Sequence, residues 1–254
     1  MALQQHTRSH SFPSGSSSQQ DAMIQVDESL LCGSTPSSSS SAKNRVNSLQ
    51  KLHESINGLL LLPHIQRAIA RECPRLDEIT EGYVVALDAC AAAGDVVSAA
   101  KRDAQELLSG VRRRHAEAAA SSYLASRREL RKVARTQKWL KKIGKRQSLG
   151  KGCEIEQLMM DAKSATLATL SCVFSYVVSS ERKLVGSKRA EQTEFTKVDA
   201  ALIAFMNNGD GDMIRDDHLL RVMESSIRVV EEGLECLFRQ LIKTRVLLLN
   251  VLSH

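Results

Sequence analysis

Apolar side chains recur at alternating spacings of three and four residues along the final part of the chain. Ten positions between residues 217 and 251, here called the C-terminal stripe, fall on one side of a helix: Leu220, Met223, Ile227, Val230, Leu234, Leu237, Leu241, Thr244, Leu248 and Val251. Nine of the ten are apolar, and burying nine such side chains contributes roughly 14–27 kcal/mol before ordering entropy is subtracted. The pattern therefore predicts a long helix that packs against other helices.

Similar stripes predict helices through most of the preceding chain. They cover residues 46–63, 76–94, 95–111, 123–145, 155–179 and 193–207. Pro63 either ends the first helix or kinks it, Gly94 ends the second, and Asp95 can cap the third. We expect a break near Ser121 and a cap at Thr193. Long helices with short connections, and no strand pattern, predict an all-α fold built as a bundle of about six long helices.

Serine dominates the first part of the chain. Residues 1–42 contain 13 serines and little apolar periodicity, which predicts a disordered tail before a bundle domain over residues 43–254. Within the tail, Arg8, Ser11 and Pro13 form the pattern R-S-x-S-x-P. A basophilic kinase would phosphorylate Ser11 in this pattern, and a 14-3-3 protein would then bind the phosphate. The alternative is a chance match in a serine-rich segment.

Positive charge is concentrated in residues 127–151. This run holds eleven basic residues and one acid, Glu129, so its net charge of +10 exceeds the +6 of the whole chain. Four apolar residues line the opposite face: Leu130, Val133, Leu140 and Ile143. The only tryptophan, Trp139, lies among the basic residues. The run therefore predicts a basic amphipathic helix.

The basic helix has three interpretations. It would dock on an anionic membrane surface, at ~1 kcal/mol per basic residue, or bind an acidic protein partner. The residues predicted to contact the anionic surface are Arg127, Arg128, Arg131, Lys132, Arg135, Lys138, Lys141, Lys142, Lys145 and Arg146. The third interpretation is a solvated outer face of the bundle. Nucleic acid is an unlikely partner, because one tryptophan supplies little base stacking.

Two short runs resemble ligand-binding loops without meeting their requirements. Residues 144–152 lack the spacing and the final Ser or Thr of a phosphate loop. Residues 208–219 lack the Gly and the Glu that an EF-hand calcium loop needs. We interpret the first as a linker and the second as a turn in which Asp216 or Asp217 caps the last helix.

The cysteines and histidines are dispersed. No two of the six cysteines lie closer than 17 residues, and no HExxH or GxSxG motif occurs. His53 and His64 are predicted to be surface polar groups. The sequence therefore predicts no metal, no cofactor and no enzymatic activity. Reduced cysteines and the absence of an apolar signal segment predict a cytoplasmic protein, and the uncharged run 164–180 predicts a core helix rather than a membrane span.

Three segments carry a resemblance to a known family. They are MALQ with TRSHSFPS near the start, LQKLHESINGLLLLP at residues 49–63, and LECLFRQLIKTRVLLLN at residues 234–250. Together they resemble the plant family of helical proteins of unknown function related to BYPASS, and the likeness runs the length of the chain. The resemblance implies a helical domain linked to root and shoot development, without established catalytic activity or defined functional residues.

These observations predict a non-enzymatic regulator or adaptor in plant development. In this hypothesis the basic helix docks the protein peripherally at an anionic membrane surface, and the tail is a phosphorylation-dependent handle. The alternative is a purely structural or oligomerising helical scaffold that binds an acidic protein partner. Its C-terminal stripe would then pair with another chain as in a coiled coil.

Overall fold

A computed structural model describes residues 39–136, 154–179, 193–208 and 217–253. These ranges hold seven α-helices and no strand: α1 (Ser39–Leu60), α2 (Pro63–Glu72), α3 (Leu76–Arg112), α4 (Ala116–Thr136), α5 (Glu154–Val178), α6 (Glu194–Asn208) and α7 (His218–Leu252). The all-α prediction is confirmed for this part of the chain. The first helix begins within the predicted tail, because Ala42 on α1 is already buried.

Four long helices, α1, α3, α5 and α7, form the central bundle, with α4 and α6 packed on its side. Helices α1 and α7 run parallel, since Gln50 bonds to Gly233 and Asn57 bonds to Gln240, seven residues further along both helices. Helix α3 runs antiparallel to α7, because the order of its contacts along α7 is reversed. Apolar side chains from all four helices meet in one continuous core.

All ten residues of the C-terminal stripe are buried inside this core, as predicted. They pack against α1 and α3 of the same chain. The close approach of α1 to α7 depends on Gly233, where a Cβ would lie only 2.9 Å from Val46 Cγ1. At the same point Gln50 Nε2 donates a hydrogen bond of 2.6 Å to the Gly233 carbonyl. The stripe is thus buried within one chain.

The predicted ends of the middle helices are wrong. Helix α3 passes through Gly94 without a break and continues to Arg112. A glycine inside a helix costs about 1 kcal/mol, but buried residues on both sides of Gly94, including Ala93 and Val97, hold the helix together. The chain reverses after Arg112, where Arg114 adopts a positive φ of 63°. Helix α4 then begins before the predicted break at Ser121 and passes through it.

The remaining helix ends divide between confirmed and wrong predictions. Pro63 starts α2 at its first position, so the chain turns there rather than continuing as one helix. Thr193 caps α6, because its Oγ1 accepts a hydrogen bond of 3.3 Å from the Thr196 amide. The side chain of Asp217 makes no capping hydrogen bond to α7. Its carboxylate instead accepts a hydrogen bond of 2.7 Å from Arg221, while Asp216 lies outside the described residues.

The helix that carries most of the uncharged run 164–180 is a core helix, as predicted. Thirteen residues of α5 are buried. Among the described residues, α3 alone is long and apolar enough to cross a membrane, with a mean hydropathy of 1.5 in a window that is 44% buried. Its buried side belongs to the same core as α5 and α7.

The cysteines only partly follow the expectation of reduced thiols. Cys90 and Cys172 are buried and Cys236 is exposed, and all three are free. Burial raises the pKa of the Cys90 thiol to about 12, so this thiol stays protonated and behaves as a small apolar side chain. Cys73, in contrast, is disulfide-bonded.

The contact at Gly233 gives a test of helix packing. Gly233→Ala should destabilise the protein by about 1–3 kcal/mol, because Val46 is stiff in a helix and cannot move away from a new Cβ. Gly58→Ala is the matched control, since nothing lies within 4 Å of a Cβ there, and it should stabilise the protein by about 0.5–1 kcal/mol. Urea unfolding measures both values. Equal effects of the two substitutions would contradict the packing.

Candidate docking helix and its buried arginine

Helix α4 has two faces of opposite character. Four side chains are buried on one face: Ala120, Tyr123, Arg127 and Leu130. Their spacings of three, four and three residues place them on one stripe that packs against the rest of the bundle. The other face exposes Arg128, Glu129 and Lys132 to solvent. At its start, the basic run therefore contains one buried cation, Arg127, and two exposed ones, Arg128 and Lys132.

Arg127 lies at the centre of the contact between α4, α5 and α6. Its side chain is 0% exposed and its Nε donates to Asp199 Oδ1 at 3.2 Å. Its two terminal nitrogens donate to the carbonyls of Val177 and Ser179 at the end of α5 and to Asp199 Oδ2. The guanidinium carbon also lies 4.7 Å from the centre of the Phe195 ring. Every nitrogen of this buried cation therefore has an acceptor, as burial of a charge requires.

Asp199 pairs with two cations of α4 at once. Arg131 Nη2 donates to Asp199 Oδ2, one turn beyond the contact with Arg127. Two guanidinium groups share one carboxylate, which leaves an excess positive charge. The carbonyls of Val177 and Ser179 compensate for it, because the end of a helix carries partial negative charge. The arrangement ties α4 to α5 and α6 through groups that only arginine can bridge in this way.

The prediction that Arg127 faces an anionic surface is therefore wrong. Its position on the stripe of Tyr123 and Leu130 is the sequence signal that could have placed it inside. Arg131 is only 22% exposed and is paired with Asp199. Sequence reasoning also missed Asp199, although its position four residues after Phe195 and three before Leu202 places it on the apolar face of α6.

The other predicted surface residues fall into two groups. Arg128 is exposed, and Lys132 is exposed and paired with Glu129 at 2.7 Å, a contact that solvent screens strongly. The second group lies outside the part of the chain that the structure describes. It comprises the side chain of Arg135 and the residues Lys138, Lys141, Lys142, Lys145 and Arg146, and the same holds for Ser11. Their predicted roles stay predictions.

His53 lies in the core, not on the surface as predicted. It is 0% exposed, and its Nε2 lies 2.9 Å from Thr166 Oγ1. The Tyr83 ring packs edge-on against the imidazole, with 5.9 Å between the ring centres. Burial lowers the pKa of His53 to about 4, so the imidazole is neutral at physiological pH. His64 is exposed, in agreement with the prediction.

The surroundings of His53 do not resemble a catalytic or metal site. Within the described residues, no group of three His, Cys, Asp or Glu side chains could hold a metal ion. Two surface clefts of about 210 and 260 Å³ are smaller than the ~300–1,000 Å³ typical of small-molecule sites. The hydrogen bond between His53 and Thr166 connects α1 to α5.

The fold and α4 together define a class of protein: a helical bundle with a basic helix fixed to its side. Within that class, the chain belongs to the BPS1 family, described as Protein BPS1, which matches residues 45–251. This result confirms the resemblance seen in the sequence. Comparisons with curated proteins and with solved structures gave no match. Family membership is consistent with a developmental regulator in plants, and the family is not known as enzymatic.

The buried histidine predicts a specific pH dependence. Below pH 6.5 the unfolded chain binds a proton at this residue, while folded His53 stays neutral until about pH 4. The free energy of unfolding should therefore fall by about 3 kcal/mol between these pH values, with full stability above pH 6.5. Urea unfolding at a series of pH values measures the effect.

His53→Gln is the control for this prediction, because it keeps a polar group that can reach Thr166 and removes the titration. The variant should lose most of the pH dependence between pH 6.5 and 4. If wild type and variant show the same dependence, His53 is not the group that titrates.

Proposed function

We propose that this protein is a non-enzymatic regulator or adaptor in plant root and shoot development that docks on anionic membrane surfaces through the outer face of α4. The observation that supports the proposal is the division of charge on this helix. Arg127 and Arg131 are paired with Asp199 inside the bundle, whereas Arg128 and Lys132 face solvent. The exposed face is the start of a longer basic sequence that reaches Arg146.

The buried contacts of Arg127 favour docking through their effect on rigidity. They fix α4 before any surface is met, so little additional ordering of this helix is needed on binding. Each basic residue near an anionic leaflet contributes ~1 kcal/mol, and salt screens the attraction over about 10 Å at 0.1 M. Binding through this face should therefore depend on anionic lipid and weaken as salt rises. The protein would then be cytoplasmic and peripheral at the membrane.

The N-terminal tail supplies the regulatory part of the proposal. Phosphate on Ser11, three residues after Arg8, would present a dianion to the arginine cluster of a 14-3-3 protein. A peptide phosphorylated on Ser11 should bind 14-3-3 at least tenfold more tightly than the same peptide without phosphate. Equal binding of the two peptides would remove this part of the proposal.

Charge reversal on the exposed face tests docking. Arg128→Glu with Lys132→Glu should weaken binding to anionic liposomes at least tenfold, since four units of charge change near the surface. Sedimentation with anionic and with neutral liposomes across a salt series measures the binding. Both residues are exposed, so the fold should be unchanged.

Lys43→Glu with Lys51→Glu is the matched control, because these exposed lysines lie on α1 and give the same change in net charge. The control should bind anionic liposomes nearly as well as wild type. If both double variants lose binding equally, only net charge matters. If neither loses binding, the outer face of α4 is a solvated surface.

A further inference from the structure

The outward-facing side of α7 changes from charged to apolar near its end. The charged part comprises the exposed residues Arg221, Arg228, Glu232, Glu235 and Arg239. Ile242, Val246 and Leu249 then follow at the same side and are 42%, 48% and 38% exposed. These three residues, here called the outer stripe, point away from the buried C-terminal stripe of the same helix. Helix α7 therefore carries a second apolar surface that the bundle does not cover.

The spacing of the outer stripe favours contact with another helix. Single exposed apolar residues are common and require no explanation. The outer stripe differs because its residues are separated by four and then three positions, the repeat with which one helix meets another. It extends for about 10 Å along α7, which is two turns of a helix. Nothing in the described part of the chain fills this surface.

The charges around the outer stripe indicate the chemistry of its partner. From residue 236 to residue 253, α7 carries Arg239, Lys243 and Arg245 and no acidic residue. Arg239 and Lys243 are exposed beside the outer stripe, and Arg239 lies 3.9 Å from Glu235 in an ion pair that solvent screens strongly. A helix that presents acidic side chains on either side of an apolar row would match both features, because flanking charges select partners in helix pairing.

Two other occupants fit less well. A second copy of this chain paired over the outer stripe would bring basic residues close to Arg239 and Lys243 and would supply no acidic side chain, because residues 236–253 contain none. An anionic bilayer would attract the basic flanks. An extended bilayer would also meet Glu232 and Glu235 further along the same side of α7, whereas a partner helix can cross α7 at the outer stripe alone.

We propose that the outer stripe of Ile242, Val246 and Leu249 is a docking surface for an acidic amphipathic helix of a partner protein. The apolar row of that helix packs on the outer stripe, and its acidic side chains pair with Arg239 and Lys243. The proposal is independent of membrane docking through α4, because it uses a different helix and a different kind of partner. It gives the adaptor a second surface, through which it can hold a protein.

A synthetic helix provides the probe. One labelled peptide of about three heptads carries Leu at positions a and d and Glu at e and g, and a matched peptide carries Lys in place of Glu. Fluorescence anisotropy should show that the acidic peptide binds the full chain at least tenfold more tightly than the basic one. Replacing all three residues of the outer stripe by Gln should weaken this binding at least tenfold.

The matched control is Ile203→Gln with Met206→Gln, an exposed apolar pair on α6 that should leave binding unchanged. Circular dichroism and thermal unfolding check that each variant is folded, and Val246→Gln alone replaces the triple variant if that protein is unstable. Undiminished binding by the folded outer-stripe variant overturns the proposal, as does equal or absent binding of the two peptides.

The same outer-stripe variant separates the other occupants. If wild type forms dimers by light scattering and the variant does not, the surface pairs two copies of this chain and the proposal is wrong. If the variant loses binding to anionic vesicles while Arg128→Glu with Lys132→Glu keeps it, the outer stripe contacts lipid instead, which also overturns the proposal. Unchanged mass and unchanged vesicle binding in the variant support it.

Discussion

The packing of α4 and α6 on the side of the bundle depends on one buried cation. Arg127 joins three helices that are far apart in sequence, because its guanidinium reaches Asp199 on α6 and the last carbonyls of α5 at the same time. Isolation of such a charge would be strongly unfavourable, so the site is stable only when all of its acceptors are in place. Formation of this contact therefore fixes α4, α5 and α6 together, and it decides which face of the basic helix is turned outward.

The central bundle provides the platform to which that side is attached. Parallel packing of α1 on α7 is close because Gly233 has no side chain, and Gln50 uses the space to bond to its carbonyl. The polar pair of His53 and Thr166 links α1 to α5 deeper in the core. The hydrogen bonds among these contacts require particular donors and acceptors, in addition to the apolar packing around them. They therefore define which helices are neighbours. In the proposed function, the bundle is a rigid support that presents α4 on one side and the outer stripe of α7 on another.

Regular packing could be predicted from the sequence, whereas long-range polar contacts could not. Every position of the C-terminal stripe is buried as its spacing predicted, and Thr193 caps α6 because capping is a local interaction. The spacing of Arg127 places it on the buried stripe of α4, but its partner Asp199 is 72 residues away, so the sequence could not show how the charge is compensated. His53 similarly bonds to a hydroxyl 113 residues away. The error at Gly94 has the same origin, since packing on both sides outweighs a local preference to end the helix.

A double-mutant cycle measures how strongly Arg127 and Asp199 together anchor α4. The free energies of unfolding of Arg127→Met, Asp199→Asn and the double variant are compared with that of wild type, with the exposed Arg128→Met as the control. We expect each single substitution to cost about 3–5 kcal/mol and the double variant to cost at least 1 kcal/mol less than their sum, because the two groups share one interaction. The control should stay within about 0.5 kcal/mol of wild type. Additive effects, or an Arg127→Met variant as stable as the control, would contradict the account.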